Sequence, residues 1–533
     1  MKQAIRTSTQ PGTGGKALLI LYALGLGVYF VLRFGGNWME IDTARITQAA
    51  QAAFEEAALT PARGSYDHGF TYPVMVAWLA HFTGVSVLRL QTVILPVVGI
   101  TMLALVAVVL FETVLGKVSM ALWATLLLCL QADFLFVTSR GSHEKLTWPL
   151  AMLALYFLYC SAAKPQGLKR FVIHVVLFYL AIYALITTNS FFASTLITAI
   201  TLSFLLGLTI NTIKRWQIHL KEQATPGNLQ RLALVSASSM ILLYLFVFYI
   251  YTPARNALSI LPTMVDQIAT LLLGFQPQSN PYAYISWGWV SPQIYLILAL
   301  FTWLLLLGSL AEWVHQGYRL LCGARLHLPE ALPWLLYAGF AIQIAIATVL
   351  DFAGVLSANL QLRILPGLVV FAVVLVVQGL EHLLSQIRLS YQTRRLLFVG
   401  CIPLVAWFVF ASLLKTTNDP VVSNKWSFYS TAEKSAVQWT DTHLKRVRVW
   451  VGIDERLSTV YSVFYPTGSQ SDSIVVEIGV PQPTTRYLLL SETEQLRHAR
   501  LRIPLPVTVF KDQVYDNGGM KLYRKRPETP YQR

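Results

Sequence analysis

About eleven apolar segments dominate the chain, each close to the twenty residues that an α-helix needs to cross a bilayer. Hydrophobic residues make up 55% of the 533 residues and charged residues only 13%, which is too little charge to cover the surface of a soluble protein. The sequence therefore predicts a polytopic α-helical membrane protein. The predicted spans lie near 17–34, 91–111, 118–138, 146–162, 170–188, 191–210, 231–251, 291–310, 331–350, 363–381 and 395–414.

The net charge of +15 arises from Lys and Arg residues scattered through short loops and a tail. Because no basic segment is interleaved with aromatic residues, a nucleic-acid partner is not predicted, and basic loops facing anionic cytoplasmic lipid explain the charge better. The four cysteines lie within or beside apolar segments and form no CxxC pair. Neither a disulfide framework nor a zinc site is therefore predicted.

The orientation of the spans depends on segment 70–84, which is apolar but short and contains Pro73 and His81. If this segment is an interfacial or re-entrant helix, the basic loop 211–231 falls on the cytoplasmic side. Sixteen Lys and Arg residues then lie in cytoplasmic segments and seven in outer loops. We therefore expect a multi-pass protein of a prokaryotic plasma (inner) membrane, with an uncleaved N-terminal anchor, a cytoplasmic N-terminus and an extracytoplasmic C-terminal domain.

The acidic residues have the opposite bias and mark the outer face as the functional one. Ionisable groups held against a bilayer are costly, so a cluster of acids there indicates a functional site. Catalytic outer loops are predicted at 35–90, 139–145 and 252–290, and helical spacing of apolar residues in the third indicates an interfacial helix. The acids on or near this face are Glu40, Asp42, Glu55, Glu56, Asp67, Asp133, Glu144, Asp266 and Asp351.

The tail that follows the last span reads as a small α/β domain. Thr431 opens an amphipathic helix with a capping signal, and β-rich runs follow at 446–453, 473–480, 485–491 and 506–511. The segment Asp516–Gly519, DNGG, predicts a hairpin turn. We therefore expect a transmembrane domain over 1–414 and a soluble, extracytoplasmic domain over 415–533.

The order of an N-terminal span, an acidic outer loop, a short helix opening with Tyr-Pro and then alternating spans resembles the GT-C superfamily of membrane glycosyltransferases. Within that superfamily, the chain resembles protein mannosyltransferases and the aminoarabinose transferases of lipid A. The resemblance covers roughly 17–384. The matching segments are EIDTARITQAAQAAFEE at 40–56, SRGSHEKLTWPLAMLALYFL at 139–158 and QLRILPGL at 361–368.

The resemblance implies a transferase that moves a sugar from a polyprenyl-phosphate donor to a lipid, glycan or protein acceptor. Asp42 would correspond to the acid that serves as base or as a metal or acceptor contact, and Arg363 to the arginine that binds the donor phosphate. Many members have Asp-Glu where this chain has Asp42-Thr43, and Asp where it has Glu144. These departures leave open whether the protein needs a divalent cation, Mg²⁺ or Mn²⁺, which is the cofactor to test for.

The same residues fit that chemistry on physical grounds. An inverting transfer passes through an oxocarbenium-like transition state, and it needs a carboxylate for the acceptor's proton and cations for the departing phosphate. Arginine suits phosphate because its planar fork donates two hydrogen bonds at fixed geometry. The candidate residues are, for catalysis, Asp42, Glu40 and Glu144; for the donor phosphate, Arg363, Arg140 and Lys145; and for the substrate loop, His68, Asp67 and His143.

Each candidate also has a structural interpretation. Asp42 can cap a helix beginning at Thr43, and Arg363 can extend to lipid headgroups without binding a donor. The segment 143–145 can be a solvated turn, and His68 a turn residue rather than a metal ligand. The aromatic residues of the third loop can form an interfacial belt or a sugar-stacking surface: Tyr282, Tyr284, Trp287 and Trp289.

Two other classes of protein share this topology. A lipid or sugar transporter should have Gly- or Pro-broken helices in matched halves and ionisable residues at mid-membrane. The predicted spans are almost free of charge in their middle, which disfavours that class. A non-catalytic membrane subunit of a larger assembly has no need for clustered outer acids. The sequence therefore favours the glycosyltransferase.

Overall fold

The structure is a computed structural model of the 533-residue chain, and it describes most of that chain. The described residues are 12–38, 41–59, 66–140, 142–163, 167–212, 227–274, 291–322, 328–354, 359–386, 391–417, 428–444, 447–452, 454–464, 474–477, 482–502, 504 and 509–526.

Helices build the described part of the chain before residue 418. π-Helical segments at Leu90–Ile94 and Phe246–Ile250 and a short 3-10 helix at Leu258–Ile260 interrupt the α-helices. The α-helices are α1 (Gly12–Phe34), α2 (Ile41–Glu56), α3 (Thr71–Thr83), α4 (Val87–Arg89), α5 (Leu95–Leu115), α6 (Val118–Cys129), α7 (Ala132–Ser139), α8 (Glu144–Ala163), α9 (Leu168–Thr188), α10 (Ser190–Thr212), α11 (Gly227–Leu245), α12 (Thr252–Ala257), α13 (Leu261–Gly274), α14 (Pro292–Leu321), α15 (Leu328–Phe352), α16 (Leu360–Gln386) and α17 (Tyr391–Thr417).

Nine helices in the described ranges are long and apolar enough to cross a membrane, or ten if the bent pair α6 and α7 is one span. The predicted class, a polytopic helical membrane protein, is confirmed. The predicted span 146–162 lies within α8, which is not among the nine and carries Glu144 and Lys145 in its first turn. The helix α3 has 13 residues, about 20 Å, which is short for a span and fits the expected interfacial or re-entrant helix.

The predicted span at 118–138 is not one straight helix, because α6 and α7 meet at an angle of 75°. At the bend, the Gln131 side chain accepts a 2.6 Å hydrogen bond from a backbone N–H in the first turn of α7. It also donates to the Thr302 hydroxyl on α14 at 3.2 Å. Beside it, the Lys415 ammonium at the end of α17 pairs with Asp133 at 2.9 Å. These polar side chains supply partners for groups at the break, where the backbone hydrogen bonds of the helix are interrupted.

The helix α16 lies at the centre of the bundle, where it packs against α6, α14 and α15. Its run Val369–Leu375 is buried throughout, as expected for a helix that is apolar on all sides. The predicted interfacial helix in the third outer loop is α13, and its Val265 and Leu272 side chains are 65% and 58% exposed. An apolar face exposed in this way fits a helix that lies on a bilayer surface.

The C-terminal domain combines three helices with one five-stranded sheet in its described residues. The sheet has the strand order β2-β1-β3-β5-β4, in which β1 is parallel to β2 and β3, and β5 is antiparallel to β3 and β4. In chain order the elements are α18 (Thr431–His443), β1 (Arg448–Trp450), α19 (Glu455–Phe464), β2 (Val475–Glu477), β3 (Tyr487–Ser491), α20 (Glu492–Leu501), β4 (Phe510–Asp516) and β5 (Met520–Lys525).

The local signals of this domain match the structure. A capping box between Ser430 and Glu433 opens α18 at the predicted residue. The predicted hairpin turn joins β4 to β5, and Gly518 adopts the positive φ of +86° that glycine tolerates best. The helices α19 and α20 were not predicted, and each follows a parallel strand of the sheet.

The C-terminal domain rests on the end of the bundle that carries α2. Its helix α19 packs against α2. Trp38 and Ala44 from the membrane domain share one apolar cluster with Leu457 and Val460 of α19. The acidic outer loop and the C-terminal domain therefore meet at the same end of the molecule, as the sequence predicted.

Candidate active site

Asp42 lies in the first turn of α2. Gly35 and Gly36, directly after α1, have φ of +58° and +67°, a conformation that glycine adopts without strain, and they turn the chain at the end of that helix. Because α2 begins at Ile41, Asp42 is its second residue and does not cap a helix starting at Thr43. The Asp42 side chain is 41% exposed, so its carboxylate is accessible.

Arg140 and Glu144 face Asp42 from the connection between α7 and α8. The Arg140 guanidinium donates to one carboxylate oxygen of Glu144, and the Ser142 hydroxyl donates to the other. Another Arg140 nitrogen, Nη1, lies 4.0 Å from Asp42 Oδ2. With Arg140 at 13% exposure and Glu144 at 15%, the pair forms the inner wall of the site.

The environment fixes the charge states of this wall. Burial alone would raise the pKa of Glu144, but Arg140 outweighs it, and His143 and the Ser142 hydrogen bond add to the effect, so that pKa falls to about 2. Burial lowers the pKa of His143 to about 4. At neutral pH Glu144 is therefore ionised and the His143 ring is uncharged.

The substrate-loop candidate His68 is held by backbone contacts with the junction of α9 and α10. Its carbonyl accepts a 2.8 Å hydrogen bond from the Ser190 N–H. A side chain at Gly69 would bring a Cβ within 2.2 Å of the Thr187 carbonyl oxygen, so glycine is required for this close approach. The His68 ring lies 6.4 Å from the His143 ring, and burial and then Arg363 lower its pKa.

Arg363 reaches the site from the first turns of α16. The Asp351 carboxylate, at the end of α15, accepts hydrogen bonds from the first N–H groups of α16, those of Leu360 at 2.7 Å and Gln361 at 3.0 Å. This cap fixes the start of the helix. The Arg363 side chain is exposed, and its influence on the His68 pKa brings it into the same cluster.

Seven of the nine predicted site residues therefore meet in one region. Lys145 differs, because it is 3% exposed and its stem packs against α5 at Gly99. Glu40 and the aromatic residues of segment 282–289 lie outside the described residues. The seven that meet are Asp42, Asp67, His68, Arg140, His143, Glu144 and Arg363.

Two residues that hold the candidate site in place were missed by the sequence reasoning. Ser142 fixes one oxygen of Glu144, and the spacing Ser-x-Glu at the start of a helix was the available signal. Asp351 caps α16, and nothing in the sequence distinguished it from the other outer acids. The described residues contain no group of three or more His, Cys, Asp or Glu side chains that could hold a metal ion, so the cation requirement stays a prediction.

No family model and no curated protein sequence matches the chain. Solved structures do match. ArnT from Cupriavidus metallidurans in the apo state aligns with a TM-score of 0.52 at 12% identity, covering 97% of this chain and 99% of ArnT. The same ArnT bound to undecaprenyl phosphate gives 0.50 at 11% identity, covering 97% and 100%. The oligosaccharyltransferase AglB from Archaeoglobus fulgidus, in complex with an inhibitory peptide and a dolichol-phosphate, gives 0.54 at 12% identity, covering 97% and 75%.

The fold and these alignments define the class: the protein is a multi-pass membrane protein with the GT-C fold and a small C-terminal α/β domain. Among the structures named, its likeness to ArnT extends over nearly the full length of both chains. The predicted resemblance to the GT-C superfamily is thus confirmed at the level of the fold.

Proposed function

We propose that the protein is an inverting membrane glycosyltransferase that moves a sugar from a polyprenyl-phosphate donor to an acceptor at the outer face of the membrane. The observation that carries this proposal is the meeting of Asp42 and Arg140 from two distant segments at one end of the bundle, 4.0 Å apart. Arg363, from a third segment, lowers the pKa of His68 in the same cluster. Proteins of similar fold support the donor class, since ArnT has been seen with undecaprenyl phosphate and AglB with a dolichol-phosphate.

On the donor side, Arg363 and Arg140 are proposed to hold the lipid phosphate. Arg363 is exposed at the start of α16, where a headgroup can approach it. Arg140 lies deeper, anchored by Glu144, so its guanidinium is pre-organised. Positive charge in these positions stabilises the phosphate as its bond to the sugar breaks. Lys145 adds positive charge behind this wall.

On the acceptor side, Asp42 is proposed as the base. The acceptor hydroxyl gives its proton to the Asp42 carboxylate while its oxygen bonds to the anomeric carbon, and the lipid phosphate leaves with the electron pair of the broken bond. Glu144 is less suited, because both its oxygens are hydrogen-bonded and its pKa is about 2. Asp42 is more exposed, and at 4.0 Å it is too far from Arg140 for a hydrogen bond.

His68 is proposed to contact sugar hydroxyls as a neutral ring, with the buried neutral ring of His143 packed behind it. The lowered pKa of each histidine favours the uncharged imidazole, which offers one donor and one acceptor. Asp67 is exposed beside His68 and can accept a further hydroxyl. This polar rim would orient the sugar through hydrogen bonds to its hydroxyl groups.

The reaction is proposed to take place at the extracytoplasmic face of a prokaryotic plasma membrane, because the basic residues favour a cytoplasmic location for the opposite loops. The acceptor would be a lipid, glycan or protein that reaches this face. Lipid-linked donors are confined to the membrane, which fits a site at the end of a helical bundle.

The test is transfer from purified polyprenyl-phosphate sugars by protein in nanodiscs, with and without Mg²⁺, Mn²⁺ and a chelator. Asp42→Asn keeps the size of the side chain but removes the base, so transfer should fall by about two to four orders of magnitude. The matched control is Asp266→Asn, an exposed acid on α13, which should retain full transfer. Full activity of Asp42→Asn would reject this residue as the base. Movement of an unmodified lipid-linked sugar across the membrane of vesicles, without transfer of the sugar to an acceptor, would favour the transporter.

A further inference from the structure

The turn between α1 and α2 is held by the C-terminal domain at two consecutive residues. Asn37 donates through Nδ2 to the Thr431 hydroxyl at 3.1 Å and accepts through Oδ1 from the Lys434 ammonium at 3.0 Å. The next residue, Trp38, accepts a 3.0 Å hydrogen bond at its carbonyl from the Tyr429 N–H. Asn37 is 7% exposed and Trp38 only 1%, so these contacts are shielded from water.

Lys434 binds both residues of this turn. Besides its hydrogen bond to Asn37, its ammonium lies 4.7 Å from the centre of the Trp38 ring, within the range of a cation–π contact. The Tyr429 ring meets Trp38 edge-on at 5.8 Å. One side chain of the C-terminal domain therefore contacts the amide and the indole that precede α2.

Within the C-terminal domain, a buried arginine holds the segment that contacts Asn37 and Trp38. Arg456 is 2% exposed and pairs with Glu433 at 3.0 Å and with Asp454 at 2.6 Å. Its guanidinium also donates to the Phe428 carbonyl, and the Tyr429 hydroxyl donates to the Arg456 carbonyl at 3.0 Å. The segment that contacts Trp38 is thus also held by contacts within its own domain.

A second contact lies on the other side of Asp42. Ala44 is fully buried in the apolar cluster that α2 shares with α19, together with Leu457 and Val460. Asp42 therefore sits between two anchors on the C-terminal domain, one at Trp38 and one at Ala44. A shift of α2 relative to Arg140 would change the 4.0 Å distance between Asp42 and Arg140.

We propose that the C-terminal domain acts as a clamp that positions Asp42, with Lys434 as its main positioning residue. Lys434 touches neither donor nor acceptor, and it acts through Asn37 and Trp38. The catalytic consequence rests on the proposed function, whereas the clamp itself does not. Loss of the clamp should impair the step that needs Asp42 and leave donor binding at Arg363 unchanged.

Hydrogen exchange tests the clamp without any substrate. Lys434→Met keeps the stem but removes the ammonium, so amide exchange in peptides of residues 41–47 should rise about tenfold, as for the loss of one charge-assisted hydrogen bond. Lys434→Arg, which keeps the charge, should restore most of the protection. Lys511→Met alters an exposed lysine on β4 and is the matched control, with no expected change in these peptides. Unchanged exchange in Lys434→Met would overturn the clamp.

Kinetics then test positioning. Lys434→Met should lower kcat about tenfold without changing KM for the donor, and the same substitution should have no further effect in an Asp42→Asn background, because both changes act on one base. If the reductions in kcat of the two single variants multiply in the double variant, Lys434 does not act by positioning Asp42. If the unaltered protein transfers no sugar from any lipid phosphate, the proposed function fails, and the exchange result alone decides whether the clamp exists.

Discussion

Substitution of Arg363 gives the sharpest test of the proposed donor site, because the proposal places the phosphate contact on this side chain rather than on the start of the helix that carries it. The Leu360 and Gln361 N–H groups at the start of α16 are bonded to the Asp351 carboxylate, whose negative charge also opposes the helix dipole. A phosphate at this helix end is therefore proposed to be bound by the exposed Arg363 guanidinium.

The expected loss follows from the two hydrogen bonds of the guanidinium fork. Charge-assisted bonds contribute about 1.5–3 kcal/mol each, and an exposed site lies at the low end, so Arg363→Ala should cost about 3 kcal/mol, or about a hundredfold in Kd for a polyprenyl phosphate. Arg363→Lys keeps the charge but loses the fork, and about a tenfold loss is expected.

The assay measures direct binding of polyprenyl phosphate to purified protein in nanodiscs, and native mass spectrometry detects the complex. Because Arg363 is exposed, both variants should insert and melt like the unaltered protein. Arg255→Ala, at an exposed arginine on α12 of the third outer loop, is the matched control and should bind normally. Equal affinity in Arg363→Ala would reduce Arg363 to a headgroup anchor and remove the main support for a lipid-phosphate donor.

A ligand-free measurement accompanies this test. Burial and Arg363 both lower the pKa of His68. Removal of the guanidinium leaves burial in place but deletes the repulsion of the imidazolium, so the His68 pKa should rise in Arg363→Ala and stay low in Arg363→Lys. Titration of the labelled histidine by NMR decides this, and an identical pKa in all three proteins would show that Arg363 does not reach the site.

Two further predictions concern stability and topology. The folded pKa of Glu144, about 2, lies below its ordinary value of 4.5, so the ionised carboxylate stabilises the fold above that value and loses this effect as pH falls from 4.5 towards 2. The Tm of the unaltered protein should therefore fall more steeply over this range than that of Glu144→Gln, and parallel curves would contradict the ion pair. In a cysteine-free background, Thr484→Cys, exposed in the C-terminal domain, should react with an impermeant maleimide in intact cells, whereas labelling only after lysis would place the domain in the cytoplasm.

The fold was largely predictable because its determinants are local. Apolar length defines most of the spans, and the capping box at Ser430 with the hairpin turn before Met520 defines the ends of elements in the tail. The bend at Gln131 was not predictable, since segment 118–138 is mainly apolar on both sides of Gln131 and Asp133. A glutamine that caps a new helix has the same sequence pattern as one that continues an old one.

The sequence identified candidate residues for the site but not their geometry. Glu144 and Lys145 are adjacent, yet successive residues on a helix point about 100° apart, so one joins Arg140 and the other packs on α5. The sequence could not assign Asp351 to the start of α16 or Lys434 to the first outer loop, because both contacts depend on tertiary packing.

The contact between Asn37 and Thr431 joins residues that are 394 positions apart. At about 5–20 residues per second, roughly 20–80 s of synthesis separate the emergence of the two partners from the ribosome. During that interval the helices between them enter the membrane while the segment around Asp42 lacks its clamp. On the proposed function, an incompletely synthesised chain would carry the arginines proposed for the donor without the contacts proposed to position Asp42, and the capacity for transfer would arise only when the last domain folds.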